Sequence, residues 1–321
     1  MVRVGVPDWA DEEWLKNFPR QIDLVRIPAA PTETIHVDFW VPPVFPKAGL
    51  KVFPHLTGIK VAQSLLAGVD WLLEIVSRDF IVCDAQGVHN VPTAEWAVAA
   101  ILAALKFFPY YSQLQSQANW VRRKEVDQAY RALHHVDKVS NPPVLQEELE
   151  GKTVLIVGYG SIGRSIEARL APFGVTFLRV ARSARPGVEP VSRLHELLPL
   201  ADVVLLIVPL TPETTRLVGP PELALMKQGA LLVNAARGPV VNTDALLAAL
   251  NAGRIRAVVD VTDPEPLPED HPLWRAPNLF ITPHVAASSP LFMARAFAFA
   301  AQQASRYANG EPLLNIVLGY Y

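Results

Sequence analysis

Short runs of apolar, often β-branched residues alternate with stretches whose apolar positions recur at helical spacing, almost from end to end. This is the pattern of an α/β protein built on parallel sheets. Early strands are expected over residues 2–6, 23–26, 61–66 and 81–84, with a helix over 69–76 after Gly68. Prolines crowd residues 28–54, and no element is assigned there. A long apolar helix is expected from Pro92 to Leu105, followed by a polar stretch over 112–149 that Asn141-Pro142-Pro143 interrupts. Beyond it the pattern is regular. Strands over 153–157, 175–180, 203–208, 231–234, 257–261 and 279–281 alternate with helices. Thr243 reads as the N-cap of one helix and Gly253 as its stop. The last helix, from Leu291 to about Ala308, is apolar on nearly all sides and is expected to be buried between two bodies. The organisation expected is two Rossmann-like, doubly wound parallel-sheet domains. A nucleotide domain, residues 96–287, is inserted in a discontinuous substrate domain made of residues 1–95 and 288–321.

The strand over 153–157 breaks at Gly158, and Gly160 and Gly163 complete a G-x-G-x-x-G spacing that opens a helix. Gly158 permits the tight turn, Gly160 lets a pyrophosphate approach the backbone, and Gly163 lets the helix pack closely on the sheet. The N–H groups of the turn and first helical residues, from Tyr159 through Ser161 and Ile162, then face the anion. The segment is therefore expected to bind a dinucleotide.

Composition narrows the remaining classes. At 321 residues, 50% hydrophobic, the chain is long enough for two cores. A formal charge of −2 gives no electrostatic case for nucleic acid, and Arg122-Arg123-Lys124 is followed at once by Glu125. Cys83 is the only cysteine, so no disulfide framework exists and a small core residue is expected. No H-E-x-x-H pattern suggests zinc, and no apolar run is long enough to span a membrane. The expectation is a soluble cytoplasmic protein without a metal.

The strand after the glycine turn ends Val180-Ala181-Arg182-Ser183-Ala184-Arg185, with no Asp or Glu between Glu167 and Glu189. An acid near this place would hold the ribose 2′-OH of NAD. Arg182, Ser183 and Arg185 instead suit a 2′-phosphate, which guanidinium groups pair with charge-assisted bonds. NADPH is expected, with NADH as the alternative.

Three later segments each lie just past an expected strand, where such sheets present their sites. In Leu231-Leu-Val-Asn-Ala-Ala-Arg-Gly-Pro239, Arg237 offers a planar fork for a carboxylate and could polarise a neighbouring ketone. In the segment from Ala257 to Pro268, Asp260 ends a strand and Glu265 stands between two prolines. In Leu279-Phe-Ile-Thr-Pro-His-Val-Ala286, His284 follows a strand and Pro283.

With Ala67-Gly-Val-Asp70 and the 92–105 helix, these motifs make the chain resemble the D-isomer-specific 2-hydroxyacid dehydrogenase family along nearly its whole length. The resemblance implies that Arg237 grips the substrate carboxylate and orients its C2 oxygen. It implies that His284 is the acid/base at that oxygen, with Glu265 on its other ring nitrogen favouring the imidazolium. It also places the backbone N–H groups of Ala67 and Gly68 on the carboxylate, Asp260 at the nicotinamide carboxamide, and Thr93 and Ala235 near the nicotinamide. Family members are commonly dimers through the nucleotide domain, and the 112–149 stretch is long enough for a partner-embracing arm.

The activity expected is reduction of a small 2-oxo acid of the glyoxylate or hydroxypyruvate type. The chain ends at Tyr321 without an appended regulatory domain, which disfavours the longer phosphoglycerate dehydrogenases. Phenylpyruvate-type acids, phosphite oxidation and a corepressor-like protein that senses NAD(P)(H) are the competing readings. The cofactor reading makes one prediction directly. In Ala181→Asp/Arg182→Ala the ratio of KM values for NADPH and NADH should invert; an unchanged ratio would remove Arg182 from 2′-phosphate recognition.

Overall fold

Seven strands form in the first unit of the computed structural model, whose described residues are 1–76 and 79–317. They are β1 (Val2–Pro7), β2 (Ile22–Ile27), β3 (Ile35–His36), β4 (Phe39–Trp40), β5 (Leu56–Thr57), β6 (Val61–Gln63) and β7 (Ile81–Cys83). This unit comprises Met1–Asn90 and Ser288–Tyr321. Its main sheet is parallel, in the order β2-β1-β4-β6-β7, while β3 pairs only with β5. Val4, Gly5, Val6 and Pro7 are all buried, as expected of a strand covered on both faces.

The proline-crowded stretch holds the strand that pattern reading could not assign. Phe39 and Trp40 pair with Val4 and Gly5 on one side and with Val61 and Ala62 on the other. Two paired residues are too few to show periodicity, yet Val37, Phe39, Trp40 and Val41 are fully buried. Helix Pro46–Val52 follows. The strand expected over 61–66 stops at Gln63.

Helix Phe292–Ala308 corrects another expectation. It buries one face, Ala296, Phe297, Ala300, Ala301, Gln303 and Ala304, whereas Ala298 and Gln302 are exposed. Alanine at these positions makes the sequence read as apolar all round, but the spacing is that of a helix lying on its own unit's core. Cys83 lies in the same core, where burial pushes its thiol up to about 12.

The second unit, Val91–Ala287, carries β8 (Thr153–Val157), β9 (Thr176–Ala181), β10 (Glu189–Pro190), β11 (Val203–Leu206), β12 (Leu231–Asn234), β13 (Arg256–Val259) and β14 (Leu279–Ile281). They form one parallel sheet in the order β10-β9-β8-β11-β12-β13-β14. Alternate residues feed two cores. Leu155, Val157, Val204, Leu206 and Leu232 face one side, and Val154, Ile156, Val203, Leu205 and Leu231 the other. Helix Asn90–Leu105 lays Ala94, Ala97, Ile101 and Leu105 on the second face. Strand order reverses between β8 and β11, the kind of place where such sheets bind ligands beyond the carboxyl ends of their strands.

Asn242, not Thr243, caps helix Thr243–Asn251. Its Oδ1 accepts from the Ala245 N–H at 2.9 Å, while the Thr243 hydroxyl donates to the Asp263 carbonyl at 2.8 Å. Both residues are good caps in isolation. Among the described residues no single helix is long and apolar enough to cross a membrane.

The stretch over 112–149 contains helix Glu125–His134 and ends in a buried ionic group. Glu147 forms an ion pair with Arg256 at 2.8 Å and accepts from Lys152 at 2.9 Å, with His134 at 3.6 Å. Burial alone would push the Glu147 carboxyl up, but His134, Arg256 and Lys152 together hold it down at about 2. Arg256 opens β13, so this group fixes the amino end of the sheet. Removing the anion strands a buried arginine, and Glu147→Gln should lower unfolding stability by about 3 kcal/mol at neutral pH. Because the folded carboxyl lies below its ordinary value of 4.5, its contribution is complete above that pH and fades as pH falls towards 2. Denaturant midpoints of variant and parent should therefore converge over that interval, and a constant gap would contradict the assignment.

Candidate active site

Five loops leave the carboxyl ends of β8, β9, β12, β13 and β14 and supply groups of the second unit. The first is the glycine turn. Gly158 has φ +107°, and a Cβ there would stand 2.4 Å from the Ile207 carbonyl oxygen; a Cβ on Gly163 would stand 2.7 Å from the Gly158 oxygen. At Gly160 a Cβ would meet nothing within 4 Å. Helix Ser161–Leu170 begins there with no side-chain cap on its first N–H groups. Two crowded glycines and one facing space are what a diphosphate cradle requires.

Tyr159, between the first two glycines, is a platform for two arginines. Arg179 lies 5.6 Å from its ring centroid and is held by Glu167 through two bonds of 2.6 and 2.7 Å. Burial, and then the Glu167 carboxylate, push the Tyr159 hydroxyl up. Arg185 lies 5.9 Å from the same ring and donates to the Tyr159 carbonyl. Arg182 and Ser183 are exposed just past β9. The charge of Arg182 also reaches Glu213, which hydrogen bonding with Thr211 and its own backbone hold below the ordinary carboxylate range. The two arginines thus differ: Arg185 is tied to the turn, and Arg182 projects beyond it.

Arg237 follows β12 by three residues and is half-buried. Its Nη1 donates to the Ala236 carbonyl at 2.8 Å. The buried Asn234 shapes this loop, accepting from the Ala236 N–H at 3.0 Å and donating to the Arg237 carbonyl at 3.1 Å. Gly238 is obligatory, because a Cβ there would stand 1.9 Å from the Thr262 carbonyl oxygen. That contact presses the Arg237 loop onto the loop that carries Glu265.

Asp260 follows β13 and is only 2% exposed. Its Oδ1 accepts from the Thr282 hydroxyl at 2.5 Å and the Val285 N–H at 2.9 Å, and its Oδ2 from the Ala286 N–H at 2.8 Å. The Asp260 carbonyl accepts from the His284 N–H at 2.7 Å. Thr282 in turn accepts from the Trp96 indole at 3.1 Å. These bonds hold His284 at φ +53°, a conformation uncommon for a residue with a side chain. Its Nδ1 then lies 2.6 Å from Glu265 Oε1, and both side chains are substantially exposed. With Nδ1–H donated to the carboxylate, Nε2 is directed away from that partner and available for proton exchange.

The structure thus joins Glu265 to His284 and places Arg237, Asp260 and His284 after three neighbouring strands. Ala235 follows β12 directly, and Thr93 is buried on helix Asn90–Leu105. Ala67 and Gly68 belong to the first unit, after β6. Sequence reading missed Asn234, Thr282 and Trp96 as supports. Only the hydroxyl two residues before His284 offered any signal. No cluster of His, Cys, Asp or Glu suited to a metal occurs among the described residues.

Comparison with known proteins is consistent in family. A family model described as D-isomer specific 2-hydroxyacid dehydrogenase, NAD binding domain, matches residues 98–286. The chain is 34% identical over 253 residues to a glyoxylate reductase of Thermofilum pendens, covering 76% of this chain and 70% of that one. It is 32% identical over 249 residues to a D-3-phosphoglycerate dehydrogenase of Methanocaldococcus jannaschii, covering 75% of this chain but 43% of that longer protein. Among solved structures, an NADPH-dependent glyoxylate/hydroxypyruvate reductase of Sinorhizobium meliloti, in complex with NADP and sulfate, superposes with a TM-score of 0.79. Its sequence identity is 25%, over 99% of this chain and 98% of that one.

Proposed function

The chain belongs to the D-isomer specific 2-hydroxyacid dehydrogenase family, and on that premise we propose that it uses NADPH to reduce a small 2-oxo acid of the glyoxylate or hydroxypyruvate type to the D-2-hydroxy acid. The observation that carries this reading is the 2.6 Å pair of His284 and Glu265, on the loops after β14 and β13, next along the sheet from the Arg237 loop after β12.

The dinucleotide, when bound, supplies a hydride to the C2 carbonyl carbon. Arg237 holds the carboxylate of the acid by its planar fork and draws electron density towards the C2 oxygen. The N–H groups of Ala67 and Gly68 complete the grip on the carboxylate. His284 donates the Nε2 proton to the C2 oxygen, so that the carbonyl becomes a hydroxyl and the imidazolium becomes neutral imidazole. Glu265 keeps the ring oriented through its contact with Nδ1. In the reverse direction the same nitrogen takes the proton back.

At the cofactor, the turn Gly158–Gly163 receives the diphosphate, with Tyr159, Ser161 and Ile162 contributing backbone. Arg182 and Ser183 meet the 2′-phosphate, while Arg185 shapes the turn they approach. The absence of any acid between Glu167 and Glu189 supports NADPH over NADH. Asp260 has one acceptor position left after its three bonds, and this is proposed for the nicotinamide carboxamide. Thr93 and Ala235 are assigned to the nicotinamide end. A cytoplasmic homodimer is the assembly proposed. Its support is the exposure of Trp120, Val121 and Val139 in the 112–149 stretch, apolar surface that a second copy would cover.

The test is loss of NADPH absorbance with glyoxylate, hydroxypyruvate, phenylpyruvate and 3-phosphohydroxypyruvate, alongside His284→Ala. Turnover is expected to be fastest with the first two and to fall by about 100-fold or more in the variant, the scale of a lost acid catalyst. Binding of NADPH without turnover of any acid would instead favour a dinucleotide-sensing protein.

A further inference from the structure

Two glutamine side chains in the first unit have no exposed surface, and neither belongs to the machinery described above. Gln63 closes β6, and Gln303 lies on the buried face of helix Phe292–Ala308. A buried primary amide is costly unless its donors and acceptor are met. Here each bond is made to the backbone of a loop or to the other amide.

Gln63 Nε2 donates to the Ser64 carbonyl at 2.8 Å and to the Asp84 carbonyl at 3.1 Å, the first carbonyls beyond β6 and β7. Its Oε1 accepts from Gln303 Nε2 at 3.0 Å. Gln303 then pairs with Leu314 as a neighbouring strand would, donating to its carbonyl at 2.7 Å and accepting from its N–H at 3.0 Å. The segment that follows is bound to the same sheet edge. Asp84 N–H donates to Asn315, Ile316 bridges Cys83 in antiparallel fashion, and Val317 N–H donates to Val82. On the other side of Gln63, the Ser64 hydroxyl accepts from the Leu66 N–H at 2.9 Å, and the Leu66 carbonyl accepts from Ala85 at 2.9 Å. Leu66 immediately precedes Ala67 and Gly68.

We infer that Gln63 and Gln303 are positioning residues for the carboxylate-binding loop, carrying the anchorage of residues 313–317 to the backbone at Ser64–Gly68. The inference rests on the reading that Ala67 and Gly68 hold the substrate carboxylate. Backbone donors act on a carboxylate only when held within about 0.5 Å of the productive position. Leu65 seats the loop's side chain in the core, while the bonds through Ser64, Asp84 and Ala85 hold its backbone, so the amides set the position of the donors that follow. Affinity for the acid, and not for the dinucleotide, then depends on the C-terminal segment.

The test compares the parent with Gln63→Met, Gln303→Met and the double variant, since methionine fills nearly the same volume without the polar bonds. KM values for glyoxylate and NADPH are measured, together with amide hydrogen exchange at Leu66, Ala85 and Leu314. The expected result is a rise of about fivefold in the KM for glyoxylate, the counterpart of one hydrogen bond, with the KM for NADPH unchanged. Exchange should quicken at Leu66 and Ala85 as well as at Leu314, and the double variant should be no worse than the poorer single one. Equal rises in both KM values, additive effects, or protection kept at Leu66 and Ala85 while Leu314 loses it would overturn the inference. Exchange needs no turnover, so if the parent reduces no acid, the functional reading fails and exchange alone decides the coupling. Should Gln303→Met not fold, Leu314→Pro removes one bond at a partly exposed position and must give the same pattern.

Discussion

Position of the proposed acid/base, His284, depends on the carboxylate of Asp260 more than on any group that would touch substrate. Three donors from the loop after β14 converge on it, and its own carbonyl accepts from the His284 N–H. At 2% exposure these bonds are poorly replaced by water. They tie the end of β13 to the loop after β14 and hold His284 in a left-handed conformation, which brings its Nδ1 to Glu265. The nearby close contact of Gly238 with Thr262 adds the Arg237 loop to the same assembly. Arg237, Glu265 and His284 therefore come from three loops that are bonded or pressed together rather than independently placed.

A parallel sheet explains why those loops can meet at all. Every strand from β8 to β14 points the same way, so each strand's following loop opens on one edge. The glycine turn after β8 and the loops after β12–β14 are then about 10–19 Å apart along the sheet, two to four strand spacings. The opposite edge carries stability instead. There Glu147, Arg256 and Lys152 form a buried ionic group.

Much of this was legible in the chain because the second unit repeats a regular unit of strand, turn and helix. The strands over 153–157, 231–234 and 279–281 were read to the residue, and Gly158, Gly160 and Gly163 announced the turn by spacing alone. The first unit was harder for a physical reason. Phe39–Trp40 is a central strand of two residues among prolines, too short for any period to appear. Glu189–Pro190 is equally short. The alanine-rich face of helix Phe292–Ala308 hid which side was buried. Asn242 and Thr243 were two competent caps side by side, and only the Asp263 carbonyl, distant in sequence, drew Thr243 away. The Gln63 and Gln303 amides lie 240 residues apart, so nothing local marks them as partners.

The central claim is the proposal that His284 exchanges the proton at the C2 oxygen while Glu265 holds its ring in place. It is tested most directly by the pH dependence of kcat/KM for 2-oxo acid reduction in the parent and in Glu265→Gln. Without the carboxylate the ring loses its partner at Nδ1, so the maximum of the variant's profile should lie about 10-fold or more below that of the parent. A variant whose profile overlies that of the parent would contradict the account.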